Sequence, residues 1–233
     1  MKYIKLFEDY QSVVPNNISN VNEICYGNPT AEKNEVANTD CPIRDWFIAQ
    51  GIADKIISEA PTNDSETTKK DLETLLLKTK RATAEELTFA RYVDSVDNLA
   101  QCYVDLLHQK GIEITMGDFF GIDTQLEPLV YWLKDKINRP RPYQLARAFN
   151  LPLFPLMHTD AMSSAYPSGH AITAFLMSEY FSQKYSEHRI ELLALANKIA
   201  DSREITGIHY PSDTEISKKI VKLVFTNNLL ALR

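Results

Sequence analysis

Three short stretches hold side chains that could do chemistry together. The first is LKDKINRPRPY, in which Lys134 is followed after six residues by Arg141 and Pro142, with Arg139 two places ahead of Arg141. The second is AYPSGHAITAF, where Pro167, Ser168, Gly169 and His170 stand at the start of a helical pattern. Ser168 is a good N-cap, Gly169 at the first helical position leaves its backbone N–H uncovered, and such a helix N-terminus binds anions. His170, in the first turn, would face the same bound group. The third is DSREITGIHYPSDTE: Ser202 and Arg203, five residues, His209, three more, then Asp213. Gly207 allows a sharp turn in this stretch. A carboxylate at Asp213 accepting the ring N–H of His209 would fix the tautomer and leave the other ring nitrogen free as a nucleophile or base.

Taken singly, each stretch has an ordinary reading. Lys and Arg near a helix C-terminus complement the dipole, a Ser-Gly-His start can be only a cap, and a histidine near an aspartate is commonly structural. Together, three positive side chains, a backbone anion site and two histidines of different roles are the inventory for phosphoryl transfer through a covalent phosphohistidine.

The stretches also resemble the signature of one superfamily, which joins the type-2 phosphatidic acid phosphatases, the vanadium haloperoxidases and the bacterial class A acid phosphatases. That signature reads Lys, six residues, Arg-Pro; then Pro-Ser-Gly-His; then Ser-Arg, five residues, His, three residues, Asp. Eleven specified residues match in order between residues 134 and 213. Outside that region the resemblance is helical character and size. It implies that Lys134, Arg141 and Arg203 hold phosphate oxygens, with Ser168 and the Gly169 N–H completing the cradle. It implies that His209 attacks phosphorus, that Asp213 holds its ring, and that His170 gives a proton to the leaving oxygen and later takes one from water. No metal and no cofactor is implied. The scheme needs His209 neutral and His170 protonated at once, which leads to the expectation of a bell-shaped pH profile with a mildly acidic optimum. Arg139 is either a further phosphate contact or a solvated charge at a helix end. Tyr166, His158 and Asp160 either line the substrate entrance or are ordinary loop residues, and His108 and His188 read as surface residues.

These side chains need a helical scaffold, and the sequence supplies one. Residues 1–40, rich in Asn, Pro and Thr, read as an irregular N-terminal arm; residues 41–233 read as one helical phosphatase domain. WFIAQGIADKIISEA has helical spacing up to Pro61, SETTKKDLETLLLKTK follows with Ser65 as a cap, and AEELTFARYVDSVDNLAQCYVDLLHQKG reads as the longest helix, stopped at Gly111. The helix TQLEPLVYWLKDKIN closes at Pro140 and Pro142. Others start at Ser168, Glu191 and Asp213, and the terminal VKLVFTNNLLALR is a buried helix or the face of a homodimer. Strand alternation and internal repeats are absent. The expected fold is all-α, a bundle of about seven or eight helices around one core, of the acid phosphatase and vanadium haloperoxidase type.

Composition narrows the partners. With 233 residues, 44% hydrophobic and 24% charged, the chain is an ordinary globular one, and its net charge of −6 argues against nucleic acid polymers or anionic membrane surfaces as partners. Any anion must be held by a local positive cluster. No apolar run has the length of a membrane span and MKYIKLFEDYQSVVPNN lacks the pattern of a secretory signal; Cys25, Cys41 and Cys102 show neither metal spacing nor a disulfide framework. The expectation is a cytoplasmic enzyme without membrane insertion. Within the superfamily, the best fit is a phosphomonoesterase acting on small phosphate esters such as nucleotides or sugar phosphates, resembling the class A acid phosphatases. A vanadium-dependent haloperoxidase is the first alternative. A packaged phage head protein retaining the fold is the second, on the likeness of MKYIKLFEDY to the head-targeting peptides of some tailed bacteriophages.

Overall fold

A computed structural model describes residues 20–28, 30–118, 121–158 and 163–231. Among these residues there are eleven α-helices and no strand. The fold is all-α, as the sequence indicates, with more and shorter helices than its periodicity suggests. The peptide MKYIKLFEDY and Asp160 lie outside the described residues.

The extra helices arise where local chemistry breaks a continuous apolar pattern. The run from Asp45 towards Pro61 divides at Gly51, whose φ of +66° is left-handed, into α2 (Pro42–Ala49) and α3 (Ile52–Ser58). The long run after Ala84 divides into α5 (Ala84–Tyr92) and α6 (Val96–His108). Residues 93–95 form a turn there, placing Ser95 at the N-cap of α6. The stretch of residues 1–40 read as an irregular arm contains α1 (Ala31–Ala37), capped by Thr30, whose hydroxyl accepts the Lys33 N–H. It packs on α7 (Glu127–Ile137).

Around the site, α9 (Gly169–Lys184) is the central helix. It packs against α10 (Arg189–Ile205), α11 (Pro211–Thr226) and α6. Ten of its sixteen residues are buried and they lie on all sides, which is the pattern of an enclosed helix rather than an amphipathic one. Phe181 anchors it, fully buried, stacked between Tyr103 and Tyr185 at centroid distances of 6.2 and 6.4 Å. Truncating a phenylalanine in such a position costs about 3–5 kcal/mol. The hydroxyl of Tyr103 donates to the Ala174 carbonyl at 2.7 Å and ties α6 to α9.

The remaining helices close the functional end. The helix α4 (Glu66–Arg81) packs on α10 and α11. Between α7 and α8 (Pro142–Ala148) the chain turns through Asn138, which has a φ of +46°. Pro142 does not merely end a helix here: it occupies the first position of α8, where the missing N–H costs nothing. A second small core, including Leu72, Leu75, Leu145, Leu153 and Tyr210, underlies these turns.

Candidate active site

Each of the three motif stretches lies at a helix end. Lys134 is in the last turn of α7; Arg141 caps α8. Ser168 caps α9, with its hydroxyl accepting the Ala171 N–H at 3.4 Å. Arg203 is in the last turn of α10, and the chain then reverses at Gly207, whose φ is +73°. A Cβ on Gly207 would lie 3.3 Å from the Phe154 carbonyl oxygen, so both torsion and room require glycine. In that reversal the N–H groups of Ile208 and His209 both donate to the Arg203 carbonyl, at 3.1 and 3.2 Å, which sets Arg203 and His209 side by side. Asp213 sits in the first turn of α11, where its Oδ2 accepts the Tyr210 N–H at 2.9 Å.

The same Oδ2 accepts from His209 Nδ1 at 3.0 Å. A carboxylate only accepts, so Nδ1 carries the hydrogen and Nε2 keeps its lone pair. That lone pair faces Arg141 Nη1 at 2.7 Å. Arg141, almost wholly buried, is otherwise held by carbonyl oxygens: Nε and Nη2 donate to Ser163 at 3.0 and 2.7 Å, and Nη1 to Ile208 at 3.0 Å. Lys134 Nζ donates to the Ser164 carbonyl, and Ser164 Oγ returns a bond to the Lys134 carbonyl at 2.7 Å. Ser217 locks the cap of α9 to α11, accepting the Ser168 N–H at 3.1 Å and donating to the Asp213 carbonyl at 2.7 Å.

The other imidazole has a different setting. His170 Nε2 donates to the Asp94 carbonyl at 2.8 Å, and the Asp94 carboxylate pairs with Arg203 Nη2 at 2.7 Å. Asp94 therefore links the second histidine to the third cation. Sequence reasoning passed over it because it lay inside an apparently continuous helix; the N-cap residue Ser95 directly after it was the available signal. Arg203 is 1% exposed, yet its Nε and Nη1 have no hydrogen-bond partner. Buried guanidinium donors are seldom left so.

Arg139 is not the solvated charge of one sequence-based alternative. It is 2% exposed, and its terminal nitrogens are spent on protein groups. Nη1 donates to Asp213 Oδ1 at 2.7 Å and to Ser212 Oγ at 2.8 Å; Nη2 donates to Thr68 Oγ1 at 3.1 Å. Thr68 and Asp71, from α4, belong to this neighbourhood and had not been singled out. An acidic residue on the buried face of α4 beside Leu72 and Leu75 was their only local sign. Tyr166 is buried beneath Arg139 rather than at an entrance, and His158 is exposed.

Crowded positive charge dominates the electrostatics. Burial, then Arg141, Lys134 and Arg203, hold the His209 imidazole well below its ordinary value. Burial and Arg203 push His170 down to about 3, although the Asp94 carbonyl pulls the other way. Burial and Arg141 depress the Lys134 ammonium. Burial pushes the Asp213 carboxyl up to about 6 against the pull of Arg139. At neutral pH both imidazoles are neutral and Asp213 is ionised. The charges of Lys134, Arg141 and Arg203 are felt at both rings. Of the sequence-predicted groups only Gly169 and His170 keep part of their surface open. A Cβ added at Gly169 would meet no protein atom within 4 Å, so packing does not explain the glycine.

Comparison with known proteins bears on this arrangement. Residues 124–220 match the family model of the PAP2 superfamily. A solved structure of a transmembrane PAP2 type phosphatidylglycerolphosphate phosphatase from Bacillus subtilis is similar at 18% identity, over 82% of this chain and 97% of that one, with a TM-score of 0.44. No curated protein sequence matches the chain. Among the described residues, no helix is long and apolar enough to cross a membrane.

Proposed function

We propose that this protein is a phosphomonoesterase that hydrolyses small phosphate esters, such as nucleotides or sugar phosphates, through a phosphohistidine at His209. One observation carries the reading: a neutral, carboxylate-oriented imidazole with its lone pair free of hydrogen stands in a buried site whose Arg203 donors lack a partner. A phosphoryl group would supply what those donors lack.

In the proposed reaction the non-bridging oxygens are held by Lys134, Arg141 and Arg203, with the Gly169 N–H at the start of α9. Arg141 Nη1 turns from the His209 lone pair to a phosphate oxygen, which releases the nucleophile. His209 Nε2 attacks phosphorus in line. The N–P bond forms as the bond to the leaving oxygen breaks, and that oxygen takes the bonding pair and a proton from His170. Asp213 stabilises the positive charge on the phosphorylated ring. A water then attacks phosphorus and yields its proton to His170, and the N–P pair returns to Nε2 with release of orthophosphate. Most of the rate enhancement comes from charges already in place around the transferring group. The open edge at Gly169 and His170 is where a leaving group would project, so the site grips the phosphoryl end and leaves the rest of a small ester outside.

Phosphate release from p-nitrophenyl phosphate, a nucleoside monophosphate and dispersed phosphatidic acid, each with chelator present, tests the proposal. Turnover of the two soluble esters, inhibition by vanadate and loss in His209→Ala are expected. No turnover of any ester rejects the assignment; turnover of phosphatidic acid alone rejects the small-ester class.

A further inference from the structure

The Asp213 carboxylate has more bonds than its service to His209 requires. Oδ2 takes the His209 and Tyr210 hydrogens, and Oδ1 takes Arg139 Nη1. With both oxygens engaged, the carboxylate cannot rotate without breaking a buried hydrogen bond. Arg139 is itself fixed from three sides. Its guanidinium lies over the Tyr210 ring at 3.8 Å from the centroid, Thr68 Oγ1 takes Nη2, and Asp71 Oδ2 stands 3.6 Å from Nη2 while accepting from Ser212 Oγ. Thr68 and Asp71 lie on α4, outside residues 124–220 of the family match.

We propose that Arg139 is a positioning residue of the reaction: through Asp213 it fixes the orientation and tautomer of His209, and it takes no part in holding the phosphoryl group. The inference rests on the phosphohistidine reading and adds to it a support that originates on α4. Arg139 provides the nearest positive charge to Asp213. The other charged or titratable groups around that carboxylate include His209 and Tyr210 beside it, Tyr166 from the loop before α9, Lys134 from α7, Arg141 at the start of α8, and Asp71 from α4. Lys134 and Arg141 lower the Asp213 carboxyl less than Arg139 does. When a phosphoryl group draws on Lys134 and Arg141, Arg139 remains to hold the carboxylate. Removal of Arg139 leaves Oδ1 buried without a donor, and a proton is the simplest replacement. A protonated Asp213 no longer demands the Nδ1–H tautomer, so the hydrogen moves to Nε2 and the nucleophilic lone pair is lost.

The test compares the full-length chain with Arg139→Gln, Arg139→Lys and the milder Asp71→Asn. Arg139→Gln should lower kcat for p-nitrophenyl phosphate by about 100-fold or more, on the scale of losing a general base or its orientation, while orthophosphate affinity stays within about threefold, since no phosphate contact is removed. The acidic limb of kcat/KM should move to higher pH, with Arg139→Lys recovering part of kcat and Asp71→Asn falling between. A merely structural role would not move that limb. Imidazole 15N spectra provide a readout that does not need turnover. The sequence has five histidines, and His209 should show the Nδ1–H tautomer in the parent and gain the Nε2–H form in Arg139→Gln. If Arg139→Gln does not fold, the same two shifts are sought in Arg139→Lys and Asp71→Asn. Unchanged His209 resonances, or weakened orthophosphate binding at constant kcat, overturn the proposal. Should His209→Ala retain activity, the phosphohistidine reading fails first; should it be inactive while Arg139→Gln is not, only this inference fails.

Discussion

The sharpest test of the nucleophile is the change of a single atom. Asp213→Asn keeps shape and volume and replaces one carboxylate oxygen by NH2. Neither placement of the amide suits the site. If its oxygen takes the Oδ2 position, the NH2 confronts Arg139 Nη1, which now donates to Oδ1 at 2.7 Å. If the NH2 takes that position, it confronts the Tyr210 N–H, now 2.9 Å away, and offers His209 a donor in place of an acceptor. His209 then turns to the tautomer with hydrogen on Nε2, which cannot attack phosphorus. The first placement leaves two buried donors facing each other, a cost of about 1–3 kcal/mol. The second placement abolishes the nucleophile, and the wrong tautomer in a Ser-His-Asp triad lowers kcat by roughly 10⁴. The expected loss here is therefore about 10⁴ in kcat, equivalent to about 5 kcal/mol of transition-state stabilisation. Orthophosphate affinity should change little, because Asp213 does not touch the anion. The assay is steady-state hydrolysis of p-nitrophenyl phosphate alongside calorimetric titration with orthophosphate. A loss in kcat of less than tenfold, or a loss matched by weaker orthophosphate binding, would refute the reasoning.

Two glycines separate ligand room from backbone strain. Gly169→Ala should leave the denaturation midpoint unchanged or higher, since its Cβ meets no protein atom within 4 Å, yet weaken orthophosphate binding by about tenfold or more if the N–H there contacts the anion; unaltered binding counts against that contact. Gly207→Ala, with φ at +73° and the Phe154 oxygen 3.3 Å away, should cost about 1–2 kcal/mol of stability by urea unfolding, and a neutral result would contradict the strain. Orthophosphate binding at pH 7.5 should take up a proton, seen as a dependence of the calorimetric heat on buffer ionisation enthalpy, because an anion beside His170 favours the imidazolium that now forms only near pH 3; zero uptake would oppose the acid role of His170. Without ligand, stability should fall as pH drops from 6.5 towards 3, since the unfolded chain protonates residue 170 first. The slope from His170 is about 1.4 kcal/mol per pH unit, with His209 adding to it and Asp213 opposing it, and a flat urea midpoint from pH 7.5 to 5 would count against the depressed His170.

What the sequence made legible was local. Ser168 capping α9, the reversal at Gly207 and the spacing of His209 from Asp213 all act within a few residues, so their patterns survive in one dimension. The all-α class was legible for the same reason. The helix divisions were harder. Aspartate and serine are tolerated on an exposed helix face, so nothing in the apolar periodicity marked the turn at residues 93–95 that brings Asp94 to His170. Seven residues of α1 are too few to show a period. The burial of Arg139 was not legible because a charge near a helix end is commonly solvated, and what buries it comes from far away: Asp71 and Ser212, which meet beside it, are 141 residues apart. Partners at that separation leave no local pattern.

One physical cause connects the depressed groups of the site. Lys134, Arg141 and Arg203 are gathered out of water, with Asp94, Asp213 and the carbonyls of residues 163, 164 and 208 set against them, and burial makes every further positive charge resisted. That resistance keeps His209 neutral, which a nucleophile needs. It also keeps His170 neutral, which a proton donor cannot be. The sequence-based scheme, with His170 charged in advance, therefore needs amendment: in the proposed reaction the proton arrives with the substrate. A phosphate monoester loses its second proton near pH 6, so at mildly acidic pH the monoanion carries one into the site. At higher pH the dianion must draw one from water onto His170. A mildly acidic optimum then follows from the ester and the cationic pocket together, and its alkaline limb should move with the second pKa of the ester, upward for alkyl phosphates and downward for aryl phosphates with electron-withdrawing rings. A limb that stays fixed across such a series would assign it to a group on the protein instead.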